Sequence, residues 1–239
     1  MANYEPPHMS SIDQTIISVT VGRLQEVFNI HKALLSASSD NFAAALNGRF
    51  TEGQENAINL EDAAPETFRA YVDWLYSGSL QDSHISCVRM PHSCQHHWLS
   101  VYIFADRYII PELKIASFDK IHKLWFLAPY SFVREAYKKL PRRSPMLKYV
   151  VDQYICQSFM FPHLPIGDKE LPYAFLQQYF LTCGNKMREV HGMFATAVAD
   201  VCEYHEHPTD EHRDTCRQKR ERLTEGARRS SAVKGQDRG

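Results

Sequence analysis

The residues of this chain best suited to chemistry are its histidines and cysteines, and many of them fall in two clusters. The first is His84-x2-Cys87-x4-His92-x-Cys94-x-His96-His97; the second is Cys202-x2-His205-x-His207-x4-His212-x3-Cys216. Imidazole nitrogen and thiolate sulfur are the usual ligands of zinc, and four of them set as a tetrahedron make a structural site. The spacings of the first cluster match no tetrahedral ligand pattern, and its segment shows no period that would hold it rigid. A solvated loop is the expectation there. The second cluster has the better claim to zinc, through Cys202, His205, His207, His212 and Cys216. It begins where a long apolar stripe stops, and a metal there would offset the entropy of ordering the segment. His212 and Cys216 would share one helical face. Its first half is Cys-x2-His rather than Cys-x2-Cys, however, so a polar helix end with a buried Cys202 is the plainer expectation. No cofactor is predicted.

His31 stands where a strand gives way to a helix. No Ser, Cys or carboxylate lies near it in a nucleophile motif, so it is expected to cap or hydrogen-bond at that junction rather than act as a base. Asp106-Arg107 reads as an ion pair at the surface or a helix end, not as a catalytic acid. No Gly-x-Ser-x-Gly, His-Glu-x-x-His, Walker or Rossmann glycine pattern occurs, each of which would place a reactive group or a phosphate by its spacing. The chain is expected not to be an enzyme.

Of the 239 residues, 44% are apolar and 23% charged, which suits a globular protein with a real core. A formal net charge of −1 argues against nucleic acid or an anionic membrane as the main partner. No apolar run approaches the ~18–20 residues needed to span a bilayer, and the opening Met1-Ala-Asn-Tyr-Glu-Pro-Pro lacks the order of a signal peptide. A cytoplasmic or nuclear location is expected, with the six cysteines as thiols.

The elements that must position these residues follow from periodicity. Thr15–Val21 is β-branched and ends at Gly22, and Val27–Ile30 follows after a turn-sized gap, so a hairpin is predicted. His31–Ala37 turns helical. Ser39 or Asp40 can cap a helix with the face Phe42, Ala45 and Leu46, ended by Asn47-Gly48. Ala57–Leu60 reads as a short strand. Pro65 suits a first helical turn, and Phe68, Tyr71, Val72 and Leu75 follow at helical spacing to Gly78. Residues 79–97 read as a loop, Leu99–Ile109 as a buried helix, and Pro111 opens another with Leu113, Ala116, Ile121 and Leu124. Leu147, Val150, Val151, Tyr154 and Ile155 share one helical face, and Leu171–Leu181 is a further apolar helix. Met187, Val190, His191, Phe194, Ala197, Val198 and Val201 form the longest stripe. It is expected to pack within the molecule rather than dock a partner helix. From Arg217 on, the chain reads as a frayed basic tail, solvated rather than an import signal.

This order of elements, with Phe28-Asn-Ile-His31-Lys32, Leu34-Leu35, Ser39, Phe42, Phe50, Glu52, Ile58-x-Leu60-x-Asp62, Phe68 through Trp74-Leu75-Tyr76-x-Gly78, and Ala105-Asp106-Arg107-Tyr108 before Pro111-x-Leu113-Lys114, resembles a BTB/POZ domain over residues 15–124. Over its whole length the chain is most similar to the fungal BTB-domain proteins with a helical C-terminal extension, which often begins much as Ser144-Pro-Met-Leu147 does here. Two departures stand out. Thr15 takes a place that is often acidic in the family, with Asp13 the nearest acid, and residues 81–97 are unlike its compact link.

The expected fold is α+β: a BTB/POZ-type domain, a small sheet with helical hairpins, followed by an α-helical domain. The expected division is a flexible arm over 1–14, the BTB/POZ-like domain over 15–124, the helical domain over 125–208 and a polar, mostly basic tail over 209–239. The resemblance implies protein–protein interaction, with other proteins as partners and with homodimers formed through the first helix and N-terminal strand. It further implies a scaffold or a substrate adaptor for a cullin-type ubiquitin ligase, the alternative being a transcriptional or chromatin regulator acting through BTB-mediated association. The family's cullin-facing signal, an apolar residue, any residue and Glu, finds its nearest fit in Leu80-Gln81-Asp82, so Leu80 and Asp82 are the expected partner-binding residues.

Overall fold

The computed structural model describes residues 6, 13–47, 57–81, 91–124, 128–160, 171–189 and 201–222. The sheet is small, with one face buried and the other exposed. Strands β1 (Ile16–Val21) and β2 (Glu26–His31) pair antiparallel, from Ile16 opposite His31 to Val21 opposite Glu26. Strand β3 (Ala57–Leu60) adds in parallel to the other edge of β1, with Ser18 opposite Ala57. The order is therefore β2-β1-β3. The period of two in β1 buries Ile17, Val19 and Val21 and leaves Ile16 and Ser18 exposed. The hairpin turns on Gly22 at φ 73° and Gln25 at φ 54°, and the Gly22 amide donates to Leu60 O at 3.0 Å, which ties the turn to β3.

Helix α1 (Lys32–Ser38) leaves β2 directly, and α2 (Asp40–Asn47) follows. Ser39 caps α2 as its residue type suggests: its Oγ accepts from the Phe42 amide at 3.3 Å and donates to Tyr108 O at 2.5 Å. Helix α3 (Pro65–Ser77) has Pro65 in its first turn and ends on Gly78, left-handed at φ 71°, whose amide returns to Trp74 O at 2.8 Å. It buries Phe68, Tyr71, Trp74 and Leu75, so Trp74 belongs to the core more fully than the half-buried Val72.

Helix α4 (Pro91–Arg107) packs along α5 (Pro111–Lys123). It begins inside the stretch expected to be a loop. Cys94, Trp98, Val101, Tyr102 and Ala105 are all buried, a helical stripe that starts on a cysteine. Cys94 is disulfide-bonded, whereas Cys156, Cys183, Cys202 and Cys216 remain thiols. The expectation of thiols throughout rested on compartment, which governs whether a bond persists, not whether two cysteines meet.

Helices α6 (Tyr130–Lys139), α7 (Pro145–Met160) and α8 (Tyr173–Glu189) complete the body. The predicted face of α7 is buried at every position. In α8, Phe175 and Tyr179 are buried but Phe180 and Leu181 are more than 60% exposed, so the predicted apolar helix turns part of its apolar surface to solvent. The stripe from Met187 to Val201 falls mostly on 190–200, outside the described residues. A 3-10 turn, Val201–Tyr204, leads to helix α9 over 210–222. The expected fraying from Arg217 is therefore not seen up to residue 222. One apolar cluster runs from Ile17 in β1 to Tyr204. Among the described residues no helix is long and apolar enough to cross a membrane.

Candidate functional site

The second Cys/His cluster is assembled by a short stretch of chain. The 3-10 turn presents Cys202, the following loop presents His205 and His207, and α9 brings back Cys216. The turn is held by Tyr204, which stacks on Phe118 with ring centres 6.1 Å apart and donates its hydroxyl to Asp152 at 3.0 Å. Cys202, His205 and Cys216 are buried. Candidate ligand atoms of Cys202, His205, His207 and Cys216 all lie within 4.8 Å of one another. The two sulfurs are 3.9 Å apart, and Cys216 Sγ is 3.6 Å from His205 Nδ1. Of the five predicted residues the structure thus gathers four. His212 stands one step out, its Nδ1 3.0 Å from Nδ1 of His207.

Electrostatics inside the cluster favour a thiolate. Burial alone would lower the pKa of His205, but hydrogen bonds with Cys202 and Cys216 hold it above the ordinary imidazole value. Burial alone would raise Cys216, yet the hydrogen bond and charge of His205 bring it below the usual thiol value.

Among the described residues the first cluster is not gathered in this way. His84 and Cys87 lie outside the described residues. Cys94, His96 and His97 sit on α4, with His96 against the Phe132 ring and His97 against Trp98. His31 hydrogen-bonds at the strand-to-helix junction, as expected. Its backbone amide donates to the Tyr76 hydroxyl at 3.2 Å, and its Nδ1 lies 2.8 Å from the same oxygen, so the bond runs to α3 rather than capping α1. Asp106 and Arg107 are not each other's partners: Asp106 pairs with Lys114 at 2.5 Å and Arg107 with Asp62 at 2.9 Å. Leu80 is only 7% exposed and belongs to the core. Asp82 lies outside the described residues.

Residues 10–123 match the family model of the BTB/POZ domain. These residues are a BTB/POZ domain. Among solved structures the chain is similar to the BTB domain of human Gigaxonin, with 18% identity and a TM-score of 0.33 over 43% of this chain and 74% of that one. No curated protein matches the chain.

The BTB/POZ domain and the Cys/His cluster are joined through α5, the last helix of the matched region. Lys114 on α5 has a side chain only 9% exposed and donates to Asp106 at 2.5 Å and to Glu206, between the two cluster histidines, at 2.6 Å. Burial alone would lower the Lys114 ammonium, but Tyr102 and the two carboxylates hold it above the ordinary lysine value. Asp119, one turn further along α5, faces His205 Nε2 at 3.2 Å and accepts a hydrogen bond from Arg220 of α9. Sequence spacing does not reveal these residues. Asp119 precedes His205 by 86 positions, and nothing local to either marks the pairing.

Proposed function

We propose that the chain is a protein–protein interaction module that serves as a scaffold or substrate adaptor for a cullin-type ubiquitin ligase. The observation that carries this reading is the BTB/POZ domain itself, a module of protein interaction. The sheet supports it. Ile16 and Val27 are 55% and 58% exposed on its outward face, and Leu24 at the hairpin tip is 92% exposed. Apolar side chains presented on a rigid hairpin are suited to anchoring a partner, because a few buried anchors contribute most of the affinity of an interface. Ile16 opens the N-terminal strand through which a homodimer is expected, so a second copy is one natural occupant. The cullin contact is assigned to exposed Gln81 and to Asp82, next to Leu80, whose own side chain is committed to the core.

The test is affinity purification with mass spectrometry from the native organism, comparing wild type with the double variant Gln81→Arg, Asp82→Lys. A cullin recovered with wild type and lost with the variant is expected. Absence of any cullin from the wild-type sample refutes the adaptor reading. Light scattering of purified wild type and Ile16→Glu then decides the dimer separately.

A further inference from the structure

We propose that Cys202, His205, His207 and Cys216 bind one zinc ion, which fastens the C-terminal segment onto the BTB/POZ domain. This is independent of the cullin reading. Tetrahedral zinc with metal–sulfur distances of about 2.3 Å and metal–nitrogen distances of about 2.0–2.1 Å requires sulfurs roughly 3.8 Å apart and sulfur to nitrogen roughly 3.6 Å. The observed separations are 3.9 Å and 3.6 Å. Among the described residues no other group of three or more His, Cys, Asp or Glu is gathered this closely.

Charge and outer contacts agree with the geometry. Two thiolates neutralise the dication, so a buried Cys2His2 site carries no net charge. His205 turns Nδ1 to the sulfurs and Nε2 to Asp119, the carboxylate–histidine arrangement that fixes the tautomer of a metal-bound imidazole. Arg220 in turn balances Asp119. His207 would bind through Nε2, with Nδ1 on His212, which makes His212 a positioning residue rather than a ligand. Four protein ligands leave no open position, so the site is structural rather than catalytic. It ties the 3-10 turn to α9, while Asp119 and Lys114 hold that unit on α5.

The experiment uses the full chain without a histidine tag, with metal content measured by plasma mass spectrometry. One zinc per chain is expected, lost in Cys202→Ser and Cys216→Ser and retained in His212→Ala. Stripping the metal should open α9 to trypsin at Arg213 and Arg217. Should the cysteine variants fail to fold, wild type stripped and refilled with Co(II) decides the matter. The strong visible bands of tetrahedral cobalt with a thiolate charge-transfer band are expected, and a weak octahedral spectrum overturns the proposal. A wild-type protein without zinc, zinc retained in Cys216→Ser, or a Cys202–Cys216 disulfide found by mass spectrometry also overturns it.

Discussion

Lys114→Met tests how the C-terminal segment is held to the BTB/POZ domain. The substitution keeps most of the aliphatic stem and deletes the charge between Asp106 and Glu206. Each of those carboxylates has an oxygen within 2.6 Å of the one ammonium, which places the two oxygens at most about 5 Å apart. Two unit charges at that distance repel by roughly 3 kcal/mol at an effective dielectric of ~20. Asp106 is only 21% exposed and must bear the loss, but Glu206 is 52% exposed and can turn into water. The discounted cost is about 2 kcal/mol, below the ~3–5 kcal/mol of a fully buried broken pair. For a chain of this size that lowers Tm by about 4–8 °C. Urea denaturation followed by tryptophan fluorescence measures it. Adding Glu206→Gln to Lys114→Met should recover about 1 kcal/mol, since it removes the repulsion. A single-variant loss under about 0.5 kcal/mol, or no recovery in the double variant, would show that the network is solvated and that Lys114 does not pin the segment.

Burial pushes Tyr102 up to about 12 and holds Tyr137, Tyr149 and Tyr154 above the usual phenol value. From about pH 10 the unfolded chain releases protons that the folded chain keeps, so stability present at neutral pH is lost as pH rises through that window, by up to about 1.4 kcal/mol per pH unit for each tyrosine; equal unfolding free energies at pH 9 and 11 would contradict the burial. Gly22→Ala should cost about 1–2 kcal/mol, because φ is 73° and the added Cβ would meet Ala63 O and Pro65 Cδ at 3.2 Å; an unchanged denaturation midpoint would count against the tight hairpin turn. Ile109 is a β-branched residue at φ 53°, 57% exposed, so Ile109→Gly should stabilise the chain by about 1 kcal/mol by releasing backbone strain, and a lower Tm would show that its side chain is needed. Leu80→Ala should lose about 2–3 kcal/mol of stability through its core cavity; if the variant loses partner binding at unchanged stability, Leu80 is a surface contact after all.

Much of this fold is legible in the sequence where local chemistry and burial agree. The hairpin, β3 and α3 each combine a clear period with a turn residue at the end, and Gly22, Pro65 and Gly78 mark real boundaries. The start of α4 is hidden because Gln95 is polar by type yet buried, so its stripe looks broken until it is folded against α5. In α8, Phe180 and Leu181 mislead in the opposite direction, apolar by type yet exposed. The Cys202–Cys216 cluster is visible as residue types and spacing, but the choice of four residues over five depends on His212 turning toward His207. The anchors on α5 and α7, Lys114, Asp119 and Asp152, are long-range contacts that leave no local trace.

The proposal that this chain binds a cullin through its BTB/POZ domain is tested most directly by calorimetric titration of the purified full chain with the N-terminal region of a cullin from the same organism. A saturable complex of micromolar or tighter affinity is expected, weakened at least tenfold, or about 1.4 kcal/mol, by Gln81→Arg with Asp82→Lys at unchanged stability. No binding at micromolar concentration, or binding indifferent to those two substitutions, would contradict it.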